Sequence, residues 1–302
     1  MSDLALVHLV RRQNGTAPFK RFLASYRAHP AGVAHKLVIL FKGFGRECRT
    51  REHDALLEDL PHGRLFVPDR GFDLNAYFTA VERLNNGYFC FLNSFSRILD
   101  DGWLAKLYRC ATSEGVGLAG ATGSSQSIAG GYTADRRKFN VLPPVSQFRT
   151  RLSKVLRNLR PGALTQRATI VTLRLAGRWQ PKRDFPPFPN YHLRTNAFVG
   201  ARDTLARIQL APTRTKLAAY RFESGNESLT NQVLKLGLRV LVVGRDGQTY
   251  GPEQWHLSNT FWQSGQENLL VADNQTDAYL AADAAGRAEL SQYAWGALAR
   301  PT

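Results

Sequence analysis

Residues 88–104 read YFCFLNSFSRILDDGWL. Tyr88 to Leu92 form a short apolar run without a charge, bounded on the far side by small polar residues. A run of that length and character is the pattern of a strand buried on both faces. It stops at Asn93-Ser94-Phe95-Ser96, and the acidic Asp100-Asp101-Gly102 then leads into a helix expected over 101–113. Small polar groups at the end of a buried strand are presented to something. The phenylalanine among them is the residue that does not fit.

On either side of this stretch the chain alternates in the same way. Strand-like runs occur at 4–10, 36–42, 64–68 and 116–119, and again at 238–243. Between them, helical spacing of apolar residues is found at 17–29 and 73–86, with a polar helix near 49–59. Further helices are expected at 203–208 and 227–236, and the tail 259–298 is expected to be helical or packed on the sheet. Asp246-Gly247 marks a tight turn, and Asp273-Asn274-Gln275-Thr276 a helix interruption with capping side chains. The alternation predicts an α/β fold with a largely parallel sheet flanked by helices. In such sheets ligands sit outside the carboxyl ends of the strands. That rule gathers the loops Val10–Gly15, Lys42–Gly45, Pro68–Gly71 and Asn93–Ser96 around one site.

Composition narrows the class of partner. The 302 residues are 43% hydrophobic, with a formal net charge of +16. No apolar run approaches the ~18–20 residues that cross a bilayer, and the start, MSDLALVHLVRRQNG, lacks the pattern of a signal peptide. The three cysteines, Cys48, Cys90 and Cys110, lack metal-like spacing, and Cys90 falls inside an apolar strand. A reducing cytoplasm is the expected setting. Between Arg136 and Arg183 there is no Asp or Glu, while 13 Lys and Arg fall there. Within it, 148–159 suits an amphipathic basic helix, which gives a basic helical insertion expected to face an anionic partner.

With the order of elements and YFCFLNSFSRILDDGWLAKL in view, the sequence resembles glycosyltransferases of the GT-A fold, above all the large family-two group. Asn93, Ser94 and Ser96, then Gly102, Trp103 and Leu104, match the phrase in which that family carries its DxD-type motif. The acidic position of the motif is Phe95 here, a degenerate DxD, and a phenyl ring offers nothing to Mg²⁺ or Mn²⁺. RFESGNESLTNQVLKLGLRVLVV is similar to the region that holds the catalytic base of inverting members, with Gly225-Asn226 where the acidic pair is expected. Glu223 and Glu227 flank that point: Glu223 is expected on a tight bend facing the cleft, and Glu227 at a helix start, where it serves equally as a cap.

The resemblance implies a Rossmann-like GT-A domain whose residues 1–135 bind the nucleotide sugar. Residues 136–183 would be the basic insertion, and 184–302 the acceptor side with a helical tail. It implies transfer of a sugar from a nucleotide-diphosphate sugar to a saccharide or lipid-linked acceptor, with inversion, in bacterial surface polysaccharide synthesis. An inverting transferase needs a carboxylate to take the acceptor proton and positive charge or dipoles on the leaving diphosphate. Candidates for the nucleotide sugar are Arg11, Asp69, Asn93, Ser94 and Ser96; for acceptor or phosphate, His192, Arg194 and Asn196 in HLRTNAF, a segment expected to precede a helix. Mg²⁺ or Mn²⁺ is the family's usual cofactor; here His192 or His256 is the most that could assist it, and metal-independent transfer is the alternative. The basic segment would place the protein peripherally on the inner face of the plasma membrane. Two other readings stand beside this one: a non-catalytic nucleotide- or sugar-binding protein of the same fold, and a basic nucleic-acid-binding α/β protein. The last lacks any recognition motif, and its aromatics are not interleaved with its cations, so no nucleic acid is expected.

Overall fold

Four apolar runs from the first third of the chain pair side by side, and the sheet grows from them. The computed structural model describes residues 3–45, 50–129, 181–211 and 215–299. The basic helix expected over 148–159, and the insertion up to residue 180, lie outside the described residues. The strands are β1 (Leu4–Arg11), β2 (Lys36–Lys42), β3 (Gly63–Val67), β4 (Tyr88–Leu92), β5 (Arg97–Ile98), β6 (Val116–Gly120) and β7 (Gly123–Ser124). After the gap come β8 (His192–Leu193), β9 (Ala197–Ala201), β10 (Arg239–Val243), β11 (Thr249–Tyr250) and β12 (Val271–Ala272).

Eight of these form one sheet in the order β11-β10-β6-β9-β4-β1-β2-β3. β1 runs parallel to β2 and β4, β2 to β3, and β6 to β10. β9 is antiparallel to both its neighbours, and β11 is antiparallel to β10. The fold is thus α/β with a mixed, mostly parallel sheet flanked by helices. Both faces are covered, as the uninterrupted apolar strands require. Ala5, Val7 and Leu9 of β1 face one core with Phe89 and Phe91 of β4, while Leu4, Leu6 and Val10 face the other with Cys90 and Leu92. The period of two along a strand produces this division. The helix Ala17–Ala28 buries Phe19, Phe22 and Leu23 on the second face, and the helix Trp103–Ala111 buries Trp103, Leu104 and Leu107 there.

Several expectations change in detail. The polar helix near 49–59 is only Arg51–Asp54, and 73–86 is helical over Asp73–Arg83. The tail carries two helices, Asn274–Leu280 and Ala284–Trp295, the first capped by Asp273. The Gly244–Gly247 turn joins β10 to β11. HLRTNAF leads into a strand, β9, and not into a helix. That strand is five residues long with a glycine inside it, too short and too weak in strand formers to stand out. Its register pairs Ala197 with Leu92, so the residues just before β9 lie beside the residues just after β4. No helix among the described residues is long and apolar enough to cross a membrane.

Candidate active site

The carboxyl ends of β1, β2 and β3 carry charge of both signs. Arg11 closes β1, and its guanidinium lies 3.7 Å from Asp69 and 3.8 Å from Asp73. Lys42 closes β2 and is 1% exposed, with its ammonium donating to the Gly71 carbonyl at 2.7 Å. Asp69 follows β3, and Asp73 is the first residue of the helix Asp73–Arg83, where a carboxylate is favoured by the helix dipole. The loops can approach this closely because of Gly43: at φ +82° it takes a conformation strained for other residues, and a Cβ there would stand 3.0 Å from that of Asp69. Burial lowers the Lys42 pKa, and Arg11 pushes the same way against the two aspartates. Burial raises the Asp73 carboxyl, opposed by Arg11 and Lys42. One turn along the helix the buried Tyr77 stacks on Phe91 at 4.6 Å, and its hydroxyl has no hydrogen-bond partner. Burial drives its pKa well up, and the charges of Asp73 and Glu223 add to the effect.

Sequence reasoning put Arg11 and Asp69 at this site, and the fold brings them together. Lys42, Asp73 and Tyr77 were missed. Lys42 did leave a trace, as a lone cation closing an apolar strand in LVILFK.

The carboxyl end of β4 differs in kind. The Asn93 side-chain oxygen accepts from the Phe95 amide at 2.9 Å and the Ser96 hydroxyl at 3.1 Å. This folds Asn-Ser-Phe-Ser into a closed turn. The Asn93 amide donates to the Asn196 carbonyl at 2.9 Å, so the turn is pinned to the start of β9. From Asn196 a buried chain runs outward. Its Oδ1 accepts from Thr122 Oγ1 at 2.7 Å, Thr122 Oγ1 accepts from Arg194 Nη1 at 3.4 Å, and Arg194 Nη2 donates to Asp273 Oδ2 at 2.7 Å. The Arg194 guanidinium also stacks over Phe261, 4.1 Å from the ring centre. Asp273, 1% exposed, spends its other oxygen on the amides of Gln275 and Thr276.

The remaining candidates are scattered. Glu223 lies within the helix Lys216–Ser224 rather than on a bend, half-buried and close enough to Tyr77 and Tyr220 to raise both hydroxyls. Asn190 ties the end of that helix down through the Ser224 carbonyl at 2.7 Å. Glu227 does not cap: Ser228 is the N-cap of the helix Leu229–Lys235, and Glu227, 72% exposed, pairs with Lys235 at 2.7 Å. His192 is buried in β8 against the Asn190 carbonyl at 2.8 Å, and burial takes its pKa down to about 4. His256 lies in a short 3-10 helix, Pro252–Leu257, apart from the turn.

These residues do not suit a divalent cation at the strand end. Mg²⁺ and Mn²⁺ take oxygen ligands, carboxylates above all. Asn93 Oδ1 is committed within its turn, Phe95 offers no ligand, and both oxygens of Asp273 are engaged. Among the described residues no three His, Cys, Asp or Glu side chains gather as a metal site.

No family model matches the chain, and no curated protein matches it. Among solved structures, it is similar to the mannosyltransferase PcManGT from Pyrobaculum calidifontis, determined in complex with GDP-Man and Mn²⁺. The two are 12% identical over 85% of this chain and 59% of that one, with a TM-score of 0.46. The chain therefore spans 59% of the length of the enzyme it matches.

Proposed function

We propose that this protein is a GT-A-type glycosyltransferase that moves a sugar from a nucleotide-diphosphate sugar to a saccharide or lipid-linked acceptor, with inversion. One observation carries the reading. The carboxyl ends of the parallel strands bring Arg11, Lys42, Asp69 and Asp73 together beside the Asn93–Ser96 turn, with the Glu223 carboxylate acting on the same buried tyrosine as Asp73. Clefts at the carboxyl ends of such strands are where α/β folds bind nucleotides. Glu223 is the base: its carboxylate takes the acceptor hydroxyl proton as that oxygen bonds to the anomeric carbon. The bond to the diphosphate breaks in the same step, and the leaving group departs with the electron pair. Glu227, held on the surface by Lys235, is the weaker candidate. In this reading 1–135 holds the donor and 184–302 the acceptor, while 136–183 meets an anionic membrane surface during surface polysaccharide synthesis.

Thermal unfolding against a panel of UDP, GDP, ADP and dTDP and their sugars tests the binding half, because a ligand of the native state raises the midpoint. Transfer from whichever sugar nucleotide binds then tests the chemistry. Phe95 favours the second reading, a sugar-nucleotide-binding protein without turnover. Binding with no transfer to any saccharide or lipid-linked acceptor would decide for it.

A further inference from the structure

The turn after β4 and the start of β9 leave hydrogen-bond donors without acceptors. Asn196 is 4% exposed, and its side-chain oxygen is fixed by Thr122, so its Nδ2 is the free end of the amide; that nitrogen has no partner. Ser94 is 4% exposed, and its hydroxyl also has no partner. A buried donor left unsatisfied costs about 1–3 kcal/mol, so two of them at one strand end mark a place where an acceptor belongs. Arg194 stands on the same hydrogen-bonded chain as Asn196 and is only 10% exposed. Its five N–H groups are oriented by Asp273, by Thr122 and by the face of Phe261.

The Asn196 amide nitrogen and the Arg194 guanidinium can only donate, and the Ser94 hydroxyl can donate as well as accept. The carboxylate that pairs with Arg194, Asp273, is saturated by it and two backbone amides. A divalent cation placed here would meet a guanidinium, an amide nitrogen and a single hydroxyl with no carboxylate free, whereas an oxyanion would meet unfilled donors beside a guanidinium. Arg97, which follows the turn in β5, pairs instead with Asp277 at 2.7 Å.

We infer that Asn196 Nδ2, Ser94 Oγ and the Arg194 guanidinium form a metal-independent oxyanion site that takes the diphosphate of the donor. This inference rests on the glycosyltransferase reading. Arg194 and the two neutral donors do what a bound metal does elsewhere: they stabilise the negative charge that grows on the leaving diphosphate. Phe95 then needs no acidic substitute, because a carboxylate at that position would repel the ligand where no metal is bound.

The test is calorimetric binding of inorganic pyrophosphate and of the nucleoside diphosphate panel to the full chain, in EDTA and again with Mn²⁺. The expected result is binding of both kinds of ligand in EDTA, with an affinity that Mn²⁺ changes less than threefold. Asn196→Asp, which turns the free donor into an acceptor in the same shape, should weaken pyrophosphate binding at least tenfold. Arg194→Met combined with Asp273→Asn should do the same. That pair removes both charges while Asn keeps the helix cap, and a cooperative thermal transition checks that it folds. Binding that appears only with Mn²⁺ would overturn the inference and leave the transferase reading standing. Wild-type affinity in both variants would overturn it in the same way. If no nucleoside diphosphate or sugar nucleotide binds under either condition, the transferase reading fails and the inference falls with it.

Discussion

The two strand-end corners solve the same problem, holding polar groups at the rim of an apolar sheet, by opposite means. At β1–β3 Arg11 lies 3.7–3.8 Å from Asp69 and Asp73, all three partly open to solvent, while Lys42 is buried. At β4–β9 they are linked by hydrogen bonds of 2.7–3.4 Å into one chain from Asn196 to Asp273. A loose group of mixed charges can readjust around a ligand, whereas a chain of fixed donors presents one geometry. The first arrangement suits recognition of a polar, hydroxyl-rich ligand, and the second suits a charge that must be stabilised at the moment of reaction.

The contrast can be broken most severely at the chemistry itself. Glu223→Gln should lower turnover by about 10²–10⁴-fold, the usual contribution of a general base, with substrate affinity retained. Single-turnover assays separate the two quantities, and unchanged turnover would remove Glu223 from its role. Next in size, Arg194→Met alone should cost about 3–5 kcal/mol in denaturant unfolding, because it strands Asp273 as a buried unpaired charge. Adding Asp273→Asn should recover most of that loss. At the other corner Lys42→Met should cost less, about 1–3 kcal/mol, since the bond to the Gly71 carbonyl is lost and the attraction to Asp73 and Asp69 is offset by the burial of the ammonium. Equal losses at Arg194 and Lys42 would erase the distinction between the corners.

Acid provides a milder perturbation. His8 is buried between Phe19 and Phe22, and burial takes its pKa down to about 3; His192 is lowered to about 4. Both are neutral in the fold, so their contribution is fully present above the unfolded value near 6.5. It is lost as pH falls from there towards each folded value, because only the unfolded chain takes up the proton. The slope is about 1.4 kcal/mol per pH unit for each histidine, so stability should begin to fall below pH 6.5, and His8→Phe should make the fall shallower by about that amount per pH unit. The smallest effect is expected on the surface: Glu227→Gln breaks an exposed pair with Lys235 and should change stability by less than about 1 kcal/mol and turnover less than threefold.

Much of the fold was legible because buried parallel strands are continuous apolar runs and their helices keep a regular spacing. β1, β2 and β4 fall within a residue or two of where the sequence put them. β9 was not legible, for its five residues are small and apolar with a glycine among them, and they pair with partners distant in the chain. The site was half legible for the same reason. Arg11, Asp69 and Asn93 could be placed because each ends a recognisable strand. The chain Asn196–Thr122–Arg194–Asp273 could not, because it joins three separate segments and exists only through the β9 register. Glu223 and Glu227 looked alike in sequence, and only the true N-cap, Ser228, sets them on different sides of the helix start.

β9 also has a consequence for how the molecule is made. Among the described residues it is the one strand between β4 and β6, and it joins the two halves of the eight-stranded sheet. β1 to β4 can pair as soon as they leave the ribosome, but β6, synthesised soon after, has no neighbour until β9 and β10 follow much later. Closing so long a loop is slow, since chain entropy is lost before the pairing rewards it. The nascent chain should therefore hold a finished four-stranded half whose β4 edge is open, and that edge is also the wall of the oxyanion corner. Ligand binding would then begin only when the sheet is joined, which makes binding competence during synthesis a direct report on the arrival of β9.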